Sequence, residues 1–212
     1  MKVFIAGGSG RVATELIKDL VNDGHQVVAG ARHPEKIIKL DNVSAVKLDL
    51  HASTEDIAEV IGRVSAVYFV AGSRGKDLLQ TDAFGAVKVM QATKKNQISR
   101  FIMLSSLFTL QPEKWDQPGL ENLTDYNIAK FFADNYLINQ TNLDYTILQA
   151  SLLTEEPATG KITFGASEES TNPIPDVAQT LAGILNHANT IHKVLLMKSG
   201  NMPINTALGN VY

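Results

Sequence analysis

The stretch VFIAGGSGRVA, residues 3–13, fixes how this chain begins to fold. VFIA is an apolar run of strand length that stops at two glycines. A helical pattern follows, with Val12, Leu16 and Leu20 on one stripe and Ala13 and Ile17 beside it. Gly7, Gly10 and Ala13 recur at a spacing of three residues. A strand that turns sharply into a helix needs backbone dihedrals that glycine reaches without strain, and it needs no side chain where another group approaches. The start of the helix offers free N–H groups and the positive end of a dipole, which suits a pyrophosphate. Ala13 is small enough to let the helix pack on the strand. Gly7, Ser9, Gly10, Arg11 and Val12 are therefore the predicted contacts to a dinucleotide. Such a glycine pattern gains weight from lying between a first strand and a first helix.

Outward from this turn, strand-length apolar runs alternate with helical periods. HQVVAGA (25–31), VSAVKLDL (43–50), SAVYFVAG (65–72), RFIMLSS (100–106) and LDYTILQA (143–150) read as strands. Between them, PEKIIKL (34–40) reads as a short helix with Pro34 in its first turn, 54–61 as a helix with a capping box at Ser53 and Asp56, and 76–95 as one long helix. A further helix carries Tyr126, with Ile128, Phe131 and Phe132 expected on its buried side. Beyond residue 150 the pattern weakens to a strand at KITF (161–164), a helix at 176–186, a strand at KVLLM (193–197) and a short helix at 204–208. Continuous apolar strands separated by helices point to a parallel sheet covered on both faces. Right-handed crossovers then favour an α/β fold of the Rossmann type, a doubly wound parallel sheet. The expectation is one domain over 1–212, with 151–175 (Pro157, Gly160, Gly165, Pro173, Pro175) as an irregular cap on the substrate side.

Composition narrows the function. The chain has 212 residues, 44% of them hydrophobic, enough for one sizeable core. With 19 basic and 22 acidic residues the net charge is −3, which leaves no electrostatic footprint for nucleic acid or an anionic membrane. There is no cysteine, so thiolate metal sites and disulfides are excluded. The five histidines fall on separate elements, and no metal site is expected. The opening apolar run is too short for a signal-peptide core, so a soluble cytoplasmic protein is expected.

The strand ends carry the remaining candidates. The second strand closes on Gly30-Ala31-Arg32 with no carboxylate to hold a ribose 2′-hydroxyl. Arg32 can pair with a 2′-phosphate through a forked, charge-assisted contact, which favours NADP over NAD. Asp49-Leu50 is placed near the adenine, and Ala71-Gly72 where backbone passes the ribose and nicotinamide. The fifth strand ends in Ser105-Ser106. Tyr126 follows Ser106 by 20 residues, 126 minus 106, and Lys130 lies one helical turn further on. A tyrosine hydroxyl ordinarily titrates near pH 10, too high for ready proton exchange at neutral pH. A neighbouring ammonium stabilises the phenolate and brings it down. Lys130 suits that role and can also hold a ribose, while Ser106 can polarise a carbonyl oxygen.

With these residues in place, the chain resembles the short-chain dehydrogenase/reductase superfamily, in its atypical or extended-like branch of NAD(P)H-binding, epimerase/dehydratase-like proteins. The resemblance runs through GGSGRVA, GARHPEK, LDL, VAG, RFIMLSS, YNIAK and LDYTIL in order. It implies a Ser106, Tyr126, Lys130 triad, a nicotinamide cofactor and often a homodimer. It departs after the sixth strand, where relatives carry an Arg-Pro-Gly-like turn beside the nicotinamide and this chain has Gln149-Ala150-Ser151. Gln149 is counted there among the cofactor contacts. The short C-terminal part favours a small carbonyl, alcohol, quinone or flavin-like substrate over a nucleotide sugar. The expected function is an NADP-dependent oxidoreductase. The alternatives are a sugar epimerase or dehydratase using the same triad, and a non-catalytic NADP-binding redox sensor like the NmrA-like proteins. Trp115, in the loop with Phe108, Pro112 and Pro118, is either a lid residue or an anchor. SRGKD (73–77) is either a phosphate contact or a solvated turn.

Overall fold

A computed structural model of the chain describes residues 1–117, 122–165 and 171–212. Pro118 and part of the expected cap lie outside the described residues. Seven strands run parallel: β1 (Lys2–Ala6), β2 (Gln26–Ala31), β3 (Val43–Lys47), β4 (Ala66–Phe69), β5 (Arg100–Ser106), β6 (Asp144–Ala150) and, further along the chain, β10 (Lys193–Ser199). Three short strands precede β10: β7 (Leu152–Thr154), β8 (Lys161–Phe164) and β9 (Thr171–Pro173). One follows it, β11 (Met202–Pro203). The main sheet has the order β11-β8-β10-β6-β5-β4-β1-β2-β3, with β8 antiparallel to β10. The order reverses between β1 and β4, and a doubly wound sheet binds its ligand in the crevice at such a reversal. This is the Rossmann-type sheet that the strand pattern predicts.

The helices cover both faces. α1 (Arg11–Asn22) and α5 (Ile174–Ile184) lie on one face, where Leu16, Ile17 and Leu20 meet Val177, Leu181 and Ile184 in one cluster. Each such fully buried aliphatic side chain contributes about 1.5–3 kcal/mol relative to exposure. The other face packs α2 (Thr54–Ile61), α3 (Phe84–Lys95) and α4 (Thr124–Gln140) on Phe4, Phe69, Phe101 and Met103. The capping box forms as predicted: the Ser53 hydroxyl accepts from the Asp56 N–H at 3.1 Å. α6 (Ile204–Gly209) closes the chain against α5.

Four local expectations fail for identifiable reasons. PEKIIKL forms only a single 3-10 turn, Pro34–Lys36, because Ile37 adopts an extended backbone and is pulled into the core. The segment read as one helix over 76–95 is split into a π-helical turn, Leu78–Ala83, and α3. The wider turn carries Asp82 inward, where it is fully buried and accepts the Ser73 N–H at 3.0 Å. The cap is more regular than its prolines and glycines suggest: β8 joins the main sheet, and β7 pairs with β9 as a separate two-stranded unit.

The fourth difference concerns α4. Phe132 is 62% exposed and Ile128 is 37% exposed, and Phe131 is half-buried, so the aromatic side is not the inward one. The buried residues are instead Asn127, Ala129, Lys130, Ala133, Asp134 and Leu137. Three of those six are polar, an unusual content for a buried helix face, since such groups are costly unless paired.

Candidate active site

A cavity of about 950 Å³ opens among the described residues at the carboxyl ends of the parallel strands. Its first end is built by the glycine turn. Gly7 has a φ of +96°, and a Cβ there would lie 2.6 Å from the Ala71 backbone. Both the Gly7 and Gly8 N–H groups donate to the Gly30 carbonyl, at 3.0 and 2.9 Å, which locks the turn against β2. Gly10 caps α1 with no side-chain hydrogen bond, so the first N–H groups of the helix remain free to meet an anion. Ser9, Gly10, Arg11 and Val12 line the cavity alongside. The Arg11 guanidinium pairs with the carboxylate of Glu155, on the connection after β7.

Further along this end the lining becomes basic. Arg32, His33, His51 and Arg74 all face the cavity, with Asp49 and Leu50 between them. Arg32 is exposed and has no hydrogen bond or ion pair among the described residues. His51 is fastened differently, its Nε2 lying 2.6 Å from Asp77 Oδ2. Thr81 and His51 on its oxygens hold the Asp77 carboxyl below the ordinary carboxylate range. Arg74 and Gly75 of SRGKD thus line the cavity, while Asp77 serves as an anchor. Ala71 and Gly72 also line it, and the nearest group to a Cβ on Gly72 would be Asp82 Oδ1, at 3.5 Å.

The second end gathers the residues predicted for chemistry. Ser106, Tyr126 and Lys130 all line the same cavity as the glycine turn. Ser106 ends β5 with its hydroxyl uncommitted to any described residue. Tyr126 sits in the first turn of α4. Lys130 is 3% exposed, and its ammonium lies 5.8 Å from the Tyr126 ring centroid and 5.8 Å from that of Phe69. It donates to no described residue. Ser105 is engaged elsewhere: its hydroxyl donates to Asp134 at 2.9 Å. This distinguishes the two serines and leaves the Ser106 hydroxyl uncommitted among the described residues.

Gln149 does not take the predicted place. Its side chain is buried behind the cavity wall, where Nε2 donates to Thr109 Oγ1 at 2.6 Å and to Asp134 Oδ2 at 3.1 Å. Residues paired across neighbouring parallel strands share a face, and Gln149 is paired with Ser105, so both turn toward α4. Ala150 and Ser151 line the cavity instead. Trp115 is an anchor rather than a lid: its indole N–H donates to the Phe108 carbonyl at 3.0 Å, its ring meets Phe131 edge-on, and it does not face the cavity. Asp134, Thr109, Asp82 and the His51–Asp77 pair escaped the sequence reading. Only Asp134 carried a usable signal, its place four residues beyond Lys130 on one helix face.

Among the described residues no cluster of His, Cys, Asp or Glu could hold a metal ion, and no helix is long and apolar enough to cross a membrane. The sheet order and the glycine turn define a Rossmann-type domain built to take a dinucleotide. The chain belongs to the NAD(P)H-binding family, whose pattern matches residues 7–188. It is 46% identical to the oxidoreductase YlbE of Lactococcus lactis, with a TM-score of 0.94 over 98% of this chain and 95% of that one. It is 32% identical to a Bacillus subtilis protein named as the uncharacterized sugar epimerase YhfK, over 98% of this chain and 99% of that protein. A short-chain dehydrogenase/reductase of Veillonella parvula in complex with NADP shares the fold, with a TM-score of 0.77 at 17% identity over 95% of this chain and 96% of that one.

Proposed function

We propose that this protein is an NADP-dependent oxidoreductase that moves a hydride to or from a small, uncharged carbonyl, alcohol, quinone or flavin-like substrate. The observation that carries the reading is Lys130. A lysine that is 3% exposed, with no partner among the described residues, faces the same cavity as the glycine turn and stands beside Tyr126. Burying an ammonium is costly unless something pairs with it. Ribose hydroxyls and a tyrosine oxygen would supply that pairing.

The residues present fit a nicotinamide dinucleotide. Gly7 leaves a space beside Ala71 that any Cβ would fill, the start of α1 offers free N–H groups for the diphosphate, and Arg32 stands at the end of β2 with its guanidinium uncommitted. When bound, the dinucleotide supplies or accepts hydride. The protein does the rest. Ser106 donates a hydrogen bond to the substrate oxygen, Tyr126 passes a proton to or from it, and Lys130 lowers the cost of the phenolate while holding the ribose.

The distribution of charge supports a small uncharged substrate over a nucleotide sugar. The basic side chains of the cavity cluster at the first end, whereas the described lining around Ser106 and Tyr126 holds Lys130 as its one cation and Asp125 as its acid. The nine residues outside the description, PGLE (118–121) and ASEES (166–170), contain no Lys, Arg or His that could add another. A second diphosphate would meet little to bind it there. The test is direct: titrate NADPH and NADH by fluorescence, then assay carbonyls, quinones and flavins with the preferred cofactor. NADPH preference with turnover on an uncharged acceptor supports the reading. Preference for NADH, or turnover confined to nucleotide sugars without net NADPH consumption, would overturn it.

A further inference from the structure

Behind the wall of the second end lies a buried polar cluster. Asp134 is fully buried on α4, one turn beyond Lys130. Its Oδ2 accepts from Thr109 Oγ1 at 2.7 Å, Ser105 Oγ at 2.9 Å and Gln149 Nε2 at 3.1 Å, while Oδ1 has no partner. The donors come from three separate places: the end of β5, the loop after it, and the end of β6. Side chains at i and i+4 on a helix are neighbours, so Tyr126, Lys130 and Asp134 form one ladder down the inward face of α4.

We propose that Asp134 is a positioning residue of the reacting centre, whose buried carboxylate holds the Lys130 ammonium in place by charge attraction once ligand displaces water from the cavity, and fixes the wall formed by Ser105, Thr109 and Gln149. This builds on the oxidoreductase reading, because it assigns a cause for the behaviour of Lys130 within it. The chemical logic is specific. Among the described residues the Lys130 ammonium has two aromatic rings beside it and no hydrogen-bond acceptor, so a nearby buried carboxylate offsets the cost of desolvating it. Among the described residues, the groups that face Asp134 from β5, the following loop and β6 are a serine, a threonine and an amide, none of which titrates near neutrality. Lys130 is the charged group that acts on Asp134. Burial pushes the Asp134 carboxyl up to about 6, against the pull of Thr109, Ser105, Lys130 and Gln149, so it remains ionised at neutral pH. The three donors all converge on one oxygen, the arrangement expected of an acceptor kept as a carboxylate.

The pair can be tested without substrate. In protein labelled with ¹³C at the aspartate carboxyls, Asp134→Asn identifies the signal by its loss. Lys130→Met should then raise the Asp134 midpoint by about one pH unit, since it removes a stabilising cation. Asp134→Asn should weaken NADPH binding roughly tenfold. Thr109→Val, a milder change, should also raise the Asp134 midpoint. A structural role alone would leave the Asp134 midpoint indifferent to Lys130→Met. An Asp134 midpoint unmoved by Lys130→Met, or NADPH binding unmoved by Asp134→Asn, overturns the proposal. A shifted midpoint in a protein that reduces no carbonyl, quinone or flavin would sink the oxidoreductase reading and leave the coupling standing.

Discussion

The two ends of the cavity are built on opposite principles. The first end is made of backbone: glycines at close approach, free helix N–H groups, and cations that reach in from exposed loops. The second is made of side chains from α4 and the end of β5, backed by a buried polar cluster. A backbone site depends on which residues leave space, so it is broken by adding atoms. A side-chain site depends on charge and its burial, so it is broken by removing them. At the first end, water screens each cation and a single loss is partial. At the second, Lys130 and Asp134 sit in a medium where pairwise terms are strong, and each group's behaviour depends on the other.

The largest expected effect lies at the second end. Tyr126→Phe should lower turnover by roughly 10²–10⁴-fold while NADPH affinity changes little, because it removes the proton-transfer group and spares the ribose contact. Steady-state kinetics beside a fluorescence titration would show the split, and equal losses in both would erase the contrast between the ends. At the first end, Gly7→Val should abolish measurable dinucleotide binding in a protein that still unfolds cooperatively. Its Cβ would lie 2.6 Å from Ala71 in a backbone at φ +96°, which β-branched residues rarely adopt. Retained NADPH binding in that variant would show that the glycine turn is not where the dinucleotide lies.

Smaller effects sharpen the comparison. Arg32→Ala should weaken NADPH binding by roughly tenfold to a hundredfold and leave NADH binding unchanged, since one charge-assisted contact to a 2′-phosphate is lost. The loss should shrink as salt rises, because Arg32 is exposed. At the other end the matching signature is pH. The Asp134 carboxyl is raised from 3.8 to about 6 in the folded protein, chiefly by burial. The folded state therefore holds this proton more tightly than the unfolded chain. Its contribution to stability is fully present below about pH 4 and is lost as pH rises through about 6, amounting to about 3 kcal/mol. Asp19, raised to about 6 by burial and by Glu15 and Asp23, acts in the same direction. Denaturant titrations between pH 4 and 7 should therefore show stability falling with pH from these two groups, and Asp134→Asn should flatten the slope. An unchanged slope would mean that Asp134 is not held in a dry environment.

The glycine turn was legible because its determinants are local. Gly7, Gly10 and Ala13 lie within seven residues, and their spacing reports a turn that any chain must make in the same way. The place of Arg32 on the cavity follows for a related reason, since it comes just after a strand whose end is visible in the apolar pattern. Gln149 was misread because its strand could be located but its partners could not. It is paired with Ser105, forty-four residues away, and only that pairing turns it toward α4 and out of the cavity. The π-helical turn at Leu78–Ala83 was hidden because its cause, the inward reach of Asp82 to the Ser73 N–H, is a contact and not a periodicity.

The inward face of α4 shows most clearly where sequence and tertiary structure divide the work. The sequence alone determined that a helix carries Tyr126 and Lys130 four residues apart, and that it follows a strand ending in two serines near a dinucleotide turn. Hydrophobicity then suggested that Ile128, Phe131 and Phe132 would be the buried side. The tertiary structure decided otherwise, because Thr109, Ser105 and Gln149 converge from distant parts of the chain on Asp134 and satisfy it. Burial of an acid and a lysine on one stripe becomes affordable only when those partners are already in place. No local pattern records partners drawn from two strands and a loop, so that rotation of the helix, and with it the placing of Tyr126 and Lys130 on the cavity, belongs to the fold.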